Sequence, residues 1–153
     1  MATTGTSIQP LHGSYLTPAY ENARVHDAMR VGVFTCPPET SLRDVARMMS
    51  SYHVHCVVVT DMDPEGESER PWGVVSDLDL VRASGPDAAD RTAGDTAATE
   101  LVTVAADDTL AHAAQLMTEH ETSHLVVLRR DTERPVGVLS SLDVAGVLAW
   151  GEG

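Results

Sequence analysis

The sequence predicts an α+β fold made of two copies of one small unit. Three observations support this. RPWGVVSDLD at residues 70–79 returns as RPVGVLSSLD at residues 134–143, with seven of ten positions identical. The repeat continues upstream at an offset of 68, against 64 within the motif. Each copy also shows helix-like and strand-like patterns in the same order, so the chain is a duplication of a helix, strand, loop, strand, helix unit.

Each copy begins with a predicted amphipathic helix. In SLRDVARMMSSY (41–52) apolar residues recur at i, i+3, i+4 and i+7, and TLAHAAQLMTEH (109–120) repeats the pattern. Thr40 or Ser41 can cap the first helix, and the prolines at 37–38 prevent it from extending backwards.

Two strands and a second helix follow in each copy. CVVVT (56–60) and LVVLR (125–129) are short β-branched runs typical of buried strands. WGVVS and VGVLS predict the second strands, and DLDLVRA and SLDVAGVLAW predict the closing helices. A short extended piece is expected around residues 33–35. The change of offset falls inside DMDPEGESER, a polar stretch in which an insertion costs little.

These patterns divide the chain into four parts. Residues 1–21 lack periodicity and are an N-terminal extension, 22–83 are repeat 1, 84–95 are a solvated linker, and 96–150 are repeat 2. A unit of about 60 residues buries little surface alone. We therefore expect the two units to pack on each other about a pseudo-two-fold axis.

Composition and charge limit the possible cellular locations and binding partners of the protein. The formal net charge is −13, from 23 acidic and 10 basic residues, and every basic residue is Arg. This charge repels nucleic-acid backbones, but one phosphorylated small molecule remains compatible with it. No apolar run approaches the roughly 18 residues of a membrane span, and the N-terminus lacks a signal-peptide pattern. Cys36 and Cys56 stand in unlike settings, which argues against a disulfide. We predict a cytoplasmic protein with no nucleic-acid or membrane partner.

Each strand-to-helix junction carries the spacing Ser-x-x-Asp. The two pairs are Ser76/Asp79 and Ser140/Asp143. This is the spacing of a capping box, in which Ser accepts from a helix N–H and the acid lies in the first turn. A helix start after a strand can also bind phosphate, and Asp can accept from two ribose hydroxyls. Gly73 and Gly137, three residues before each Ser, favour close approach to the backbone. The residues alone leave a cap and a nucleotide site both open.

The ordered motifs resemble a cystathionine-β-synthase (CBS) domain, present twice. The pattern V-x-D-x-M (Val25, Asp27, Met29), then T-x-x-P (Thr35, Pro38), the amphipathic helix, the Val-rich strand and G-h-h-S-x-x-D follow in the order of that family. The second copy matches as far as the closing Ser-x-x-Asp. Together the copies resemble a CBS pair, or Bateman module. The resemblance implies tandem βαββα repeats packed through their sheets with pseudo-two-fold symmetry and ligand clefts between them.

The resemblance also implies a ligand and its contacts. Such clefts typically bind AMP, ADP, ATP or S-adenosylmethionine, with or without magnesium, as a regulatory ligand and not as a required cofactor. The final Asp bonds the ribose, and the preceding Ser approaches the phosphate. On that side the residues carried over are Gly73, Val74, Ser76, Asp79, Gly137, Val138, Ser140 and Asp143. On the adenine side they are Thr35, Cys36, Thr103 and Val104, with His55, Cys56, Ser123 and His124 as wall residues.

The chain departs from the family pattern at three points. Ala106 stands where the first copy has Pro38, and Ala97 replaces the Met of the first copy. The Pro that often leads the Val-rich strand is absent from both copies, with Cys56 and His124 in its place. Adenine packing is therefore less well defined by the sequence than ribose bonding.

Other chemistry is weakly indicated. His53 and His55 would share a strand face beside Cys56, but no neighbour completes a tetrahedral metal set, and a polar lead-in to a buried strand is the simpler interpretation. No catalytic motif is present, so we predict no enzyme, no catalytic residue and no metal. Arg43 and Arg82 are candidate phosphate partners.

We therefore hypothesise a stand-alone CBS-pair regulatory module, a homodimer that binds an adenosine-containing ligand and signals to a regulated protein. One alternative is a ligand-free scaffold for dimerisation or protein docking. Another is a metal-regulated switch at the His53, His55 and Cys56 cluster.

Overall fold

The computed structural model describes residues 17–62, 65–66, 69–98, 100–132 and 134–152. Most of the predicted N-terminal extension lies outside these residues. The helices are α1 (Val25–Ala28), α2 (Leu42–Tyr52), α3 (Asp77–Ala83), α4 (Ala93–Thr96), α5 (Leu110–His120) and α6 (Ser141–Trp150), with 3-10 turns at Tyr20–Asn22 and Ala88–Asp90. The strands are β1 (Arg30–Val31), β2 (Thr35–Cys36), β3 (Cys56–Met62), β4 (Glu69–Ser76), β5 (Thr103–Ala105), β6 (His124–Leu128) and β7 (Pro135–Ser140).

The strands form two sheets. One has the order β2-β3-β4, in which β2 is parallel to β3 and β3 is antiparallel to β4. The other has the order β1-β7-β6-β5, in which β5 is parallel to β6 and β1 is antiparallel to β7. Each copy thus runs strand, helix, strand, strand, helix. The predicted α+β class and the tandem βαββα repeat are confirmed.

The chain divides into two compact units that do not follow the repeat boundaries. Among the described residues, the Asp143 unit contains 17–31, Val102–Arg130 and 136–152. The Asp79 unit contains Gly32–Leu101 and Asp131–Pro135. The segment that leads the first copy, with α1 and β1, therefore belongs to the unit of the second copy. The four-part division drawn from the sequence stays a prediction.

Each unit has its own apolar core. The larger buried residues of the Asp143 unit are Val25, Val102, Val104, Leu110, Met117, Leu125, Val127, Leu139, Val144 and Val147. Those of the Asp79 unit are Cys36, Val45, Met49, Val57, Val59 and Val75. The predicted spacing holds at i, i+3 and i+7, because α2 buries Leu42, Val45 and Met49, and α5 buries Leu110, Ala113 and Met117. At i+4, Ala46 is exposed and Ala114 is half-buried.

Both long helices of the repeat begin and end in the same way. Ser41 is the cap of α2, since its Oγ accepts from the Asp44 N–H at 3.1 Å. Thr109 caps α5 through the His112 N–H, also at 3.1 Å. Each helix ends at a residue with left-handed backbone, φ 54° and 51° at the two positions. Duplication has kept the local stop signal as well as the apolar face.

The stretch predicted as a solvated linker is partly packed. It contains the turn at Ala88–Asp90 and all but the last residue of α4. Ala93 is fully buried, and its N–H donates to the Thr40 carbonyl at 2.7 Å. A stretch rich in Ala and Gly looks like a linker by composition, but these residues are also small enough to pack against a neighbouring backbone. No helix in the described part of the chain is both long and apolar enough to cross a membrane.

Candidate functional site

Both Ser-x-x-Asp pairs form a capping box. At the start of α3, the Asp79 N–H donates to Ser76 Oγ at 3.1 Å, and the Ser76 N–H donates to Asp79 Oδ2 at 2.9 Å. At the start of α6 the same bonds between Ser140 and Asp143 measure 3.2 and 2.9 Å. The junction geometry is duplicated together with the sequence, so the cap interpretation is correct for both copies.

The two carboxylates differ in their surroundings. Asp79 is 2% exposed and is one of the buried polar residues of the Asp79 unit. The Asp143 side chain is 9% exposed and lies at the wall of a cavity of about 380 Å³. Of the sequence-predicted site residues, Asp143 is the member that lines this cavity. A cavity of this volume falls in the lower range of small-molecule pockets, roughly 300–1,000 Å³.

The cavity is built by two segments from opposite ends of the chain. One wall is α6, from Leu142 to Trp150. The other consists of Thr17, two residues of α1 and Arg30 of β1. The Arg30 Nε lies 4.0 Å from Asp143 Oδ1. The cavity thus combines an apolar helix face with two carboxylates, Asp27 and Asp143, and one guanidinium.

The pairing of β1 with β7 explains why one of the two glycines singled out in the sequence, Gly137, has no side chain. A Cβ at Gly137 would overlap the carbonyl oxygen of Arg30, so glycine lets β1 lie against this strand. The close approach is therefore made by the chain itself. At Gly73 a Cβ would meet the Ala97 Cβ at 3.4 Å, which is ordinary contact.

The predicted wall residues lie beside the helix starts. The His55 carbonyl accepts from the Asp77 N–H at 2.9 Å, and its Nδ1 lies 3.0 Å from Asp77 Oδ2. In the other copy the Ser123 carbonyl accepts from the Ser141 N–H at 2.9 Å. Cys56 pairs with the capping serine of α3 across β3 and β4. Each unit therefore holds its wall residues next to its own capping box, with His124 half-buried at the start of β6.

The adenine-side candidates lie in the short parallel strands. Thr35 and Cys36 form β2 beside β3, and Thr103 and Val104 lie in β5 beside β6. Among the apolar and thiol candidates, the side chains of Cys36, Cys56, Val74 and Val104 are buried in the cores. Those four positions can offer a ligand their backbone but not their side chains. Val138 is half-buried and pairs with Arg30 across β7 and β1.

The cysteines are free thiols in unreactive settings. Burial, reinforced by the charge of Asp77, raises the pKa of Cys56 to about 11. Burial also raises the pKa of Cys36. Since thiolate is the form that binds metal and attacks electrophiles, neither thiol is prepared for that chemistry near pH 7. Among the described residues, no three His, Cys, Asp or Glu side chains come together as a metal-binding group.

Arg30 is the residue at this cavity that sequence reasoning did not single out. The nominated Arg43 and Arg82 are exposed on α2 and α3 and do not line the cavity. Arg30 directly follows the V-x-D-x-M pattern, but only the pairing of β1 with β7 brings it near an aspartate 113 positions away (143 − 30). No local pattern carries that signal.

Two βαββα repeats with duplicated capped helix starts define a tandem α+β module. The chain belongs to the CBS domain family, whose family model matches residues 25–85 and 93–149. The predicted family is confirmed. No curated protein matches the chain significantly.

Solved structures share this fold. The CBS domain protein PAE2072 from Pyrobaculum aerophilum, solved in complex with AMP, is 28% identical with a TM-score of 0.70, covering 83% of this chain and 98% of that one. Hypoxic Response Protein I, solved with two coordinated zinc ions, is 25% identical with a TM-score of 0.63, covering 80% and 97%. The CBS domain pair of protein MJ0100, in complex with 5′-methylthioadenosine and S-adenosyl-L-methionine, is 20% identical with a TM-score of 0.68, covering 83% and 96%.

Proposed function

We propose that the chain is a CBS-pair regulatory module that binds an adenosine-containing ligand and passes the binding signal to a partner protein. The ligands considered are AMP, ADP, ATP and S-adenosylmethionine. The main structural support is the position of the Asp143 carboxylate at the wall of a cavity of about 380 Å³. A helix cap needs no cavity beside it, whereas a ribose needs a carboxylate that it can reach. The AMP complex of PAE2072, 28% identical to this chain, supports the same ligand class.

In this proposal Asp143 accepts hydrogen bonds from the ribose hydroxyls, and Ser140 lies toward the phosphate. The remaining second-copy candidates do not line the cavity, so in this proposal the rest of the adenosine extends past it toward Thr103, Val104, Ser123, His124 and Val138, while Gly137 is covered by Arg30. The first copy offers a second site with the same Gly, Val, Ser and Asp at its strand-to-helix junction, but with Cys36, His55 and Cys56 in place of Val104, Ser123 and His124. We propose that it is the weaker one, because Asp79 is 2% exposed and must be uncovered before a ribose reaches it.

We also propose that the chain forms a homodimer. Helix α6 is apolar on several sides and exposes Leu142, Leu148 and Trp150, and α3 exposes Leu78 and Val81. Large apolar side chains exposed together on one helix favour burial against another surface. Light scattering of the parent and of Leu148→Glu tests this point. A parent that is monomeric at micromolar concentration contradicts it.

A ligand-free scaffold is the second candidate. It is favoured by the first copy, where both bonds of the capping box are formed and the carboxylate is 2% exposed, so that a ribose has no direct access to it. The scaffold and the sensor predict the same fold and the same dimer. They differ only in the response to adenosyl compounds.

A thermal-shift and calorimetric screen of AMP, ADP, ATP, S-adenosylmethionine and NADH, with and without Mg²⁺, separates them. A ligand at 100 times its Kd stabilises the folded state by about 2.7 kcal/mol. For a chain of this size that raises Tm by about 5–11 °C. A scaffold shows no concentration-dependent rise. If no adenosyl compound shifts Tm at millimolar concentration, the sensor proposal is wrong.

A further inference from the structure

The charges around the Asp143 cavity are unevenly distributed. Among the described residues that line it, Arg30 is the one cation and stands with the carboxylates of Asp27 and Asp143. The chain as a whole has a net charge of −13. A cation at the wall of a cavity in so acidic a protein calls for a physical reason.

Fold stability does not supply that reason. The Arg30 side chain is 65% exposed, and its Nε lies 4.0 Å from Asp143 Oδ1, too far for a hydrogen bond. Because the guanidinium lies mostly in solvent and forms no hydrogen bond with the carboxylate, the pair contributes little to stability. Within the described part of the chain, the guanidinium makes no closer polar contact. It approaches Asp143 through Nε, which leaves the Nη end of the fork to reach a second anionic group.

The first copy has no equivalent cation. The offset of 68 places Ala98 where the second site has Arg30. The structure supports this equivalence, because Gly137 meets Met29 and Arg30 while Gly73 meets Ala97, the partner of Met29 at the same offset. Each copy therefore holds its glycine against the matching segment. Only the Asp143 site acquires an arginine from it.

We infer that Arg30 binds the phosphate of a nucleoside monophosphate whose ribose hydroxyls bond Asp143. The inference rests on the proposed function and names the ligand class of that site. In a nucleoside 5′-phosphate the phosphate and the 2′ and 3′ hydroxyls stand on opposite sides of the ribose. A carboxylate and a nearby guanidinium with a long, exposed side chain match these two groups. Arginine binds phosphate through a charge-assisted fork of two N–H bonds.

The same charges disfavour a polyphosphate. Each further phosphate adds negative charge beside Asp27 and Asp143, and the described lining offers no second cation to offset it. The site therefore prefers AMP to ADP, and ADP to ATP. Adenosine, which has no phosphate, is bound without help from Arg30.

Calorimetric titration of AMP and adenosine into the full chain and into Arg30→Ala and Arg30→Lys tests the inference. Arg30→Ala weakens AMP binding by about tenfold or more, as expected for loss of a charge-assisted bond, and changes adenosine binding less than about twofold. Arg30→Lys keeps the charge but not the fork and lies between. Arg43→Ala is the matched control, since it removes the same charge from an exposed helix position outside the cavity.

The outcomes are distinct. If Arg30→Ala leaves the ratio of AMP to adenosine affinity unchanged, or if it weakens S-adenosylmethionine binding in place of AMP binding, the phosphate assignment is overturned while the adenosyl site stands. If Arg43→Ala weakens AMP binding as much as Arg30→Ala, the effect is one of net charge and the inference also falls. If the parent binds neither AMP nor adenosine, the proposed function itself fails.

Discussion

Replacing each capping aspartate in turn separates structure from binding. Asp79→Ala removes the acceptor of a 2.9 Å bond from the Ser76 N–H and empties space at a residue that is 2% exposed. Loss of such a cap costs about 1–2 kcal/mol, which lowers Tm by about 2–8 °C for a chain of this size. Asp143→Ala removes the matching 2.9 Å bond and costs about 1 kcal/mol.

AMP affinity is expected to fall more in Asp143→Ala than in Asp79→Ala, the opposite of the order for stability. Asp143→Ala removes both ribose hydrogen bonds to a charged acceptor, each about 1.5–3 kcal/mol, so AMP affinity falls by about 100-fold or more. Asp143→Asn is the sharper variant, since its amide oxygen still caps α6 while the negative charge is lost. Urea denaturation measures stability, and calorimetry measures AMP affinity. Should Asp79→Ala abolish AMP binding while Asp143→Ala retains it, the assignment of the cavity would be refuted.

Three further changes test individual features of the fold. Gly137→Ala brings a Cβ onto the carbonyl of Arg30 and destabilises the chain by about 2 kcal/mol or more. The matched control Gly73→Ala, which has ordinary contact at 3.4 Å, changes the urea midpoint little; equal losses would contradict the β1 packing. Glu121→Gly relieves a left-handed φ of 51° and stabilises α5 by up to about 1 kcal/mol in the same assay, and a lower midpoint would refute this. Burial raises the pKa of Cys56 from 9.0 to about 11, so between these pH values the unfolded chain loses the thiol proton while the folded chain keeps it. The free energy of unfolding therefore falls between pH 9 and 11, and it falls less in the Cys56→Ala variant. Parallel pH profiles would count against it.

Local signals in the sequence were enough for the repeat. The apolar spacing of α2, its Ser41 cap and the Ser-x-x-Asp spacing depend on residues within one helical turn or two. The helix, the cap and the capping box all appear in the structure, although Ala46 at i+4 is exposed. Arg30 and Ala93 were missed because their roles depend on partners distant in sequence. Arg30 comes near Asp143 only through the pairing of β1 with β7. Ala93 is buried where its N–H donates to the carbonyl of Thr40, 53 positions earlier in the chain (93 − 40). The apolar pattern and the motif spacing describe neighbouring residues only, so they do not predict contacts between residues distant in sequence.

The exchange of leading segments has its own testable consequence. Residues 25–31 open the first matched domain but belong to the Asp143 unit, where Val25 is fully buried. The Val25 N–H donates to the Asp108 carbonyl, and the Leu110 N–H donates to the Ala23 carbonyl, both at 2.9 Å. A fragment of residues 93–149 loses these bonds and the pairing of β1 with β7, and burying Val25 alone is worth about 1.5–3 kcal/mol.

A unit of about 60 residues has little stability to spare, so we expect the 93–149 fragment to be unfolded by circular dichroism and by amide dispersion in NMR. A synthetic peptide of residues 17–31 supplies the missing wall and should restore folding with a saturable dependence on peptide concentration. A scrambled peptide of the same composition is the control. A fragment that unfolds cooperatively without any peptide would show that the second copy is complete in itself. In that case Arg30 would be an accessory to the Asp143 site and not a part of its fold.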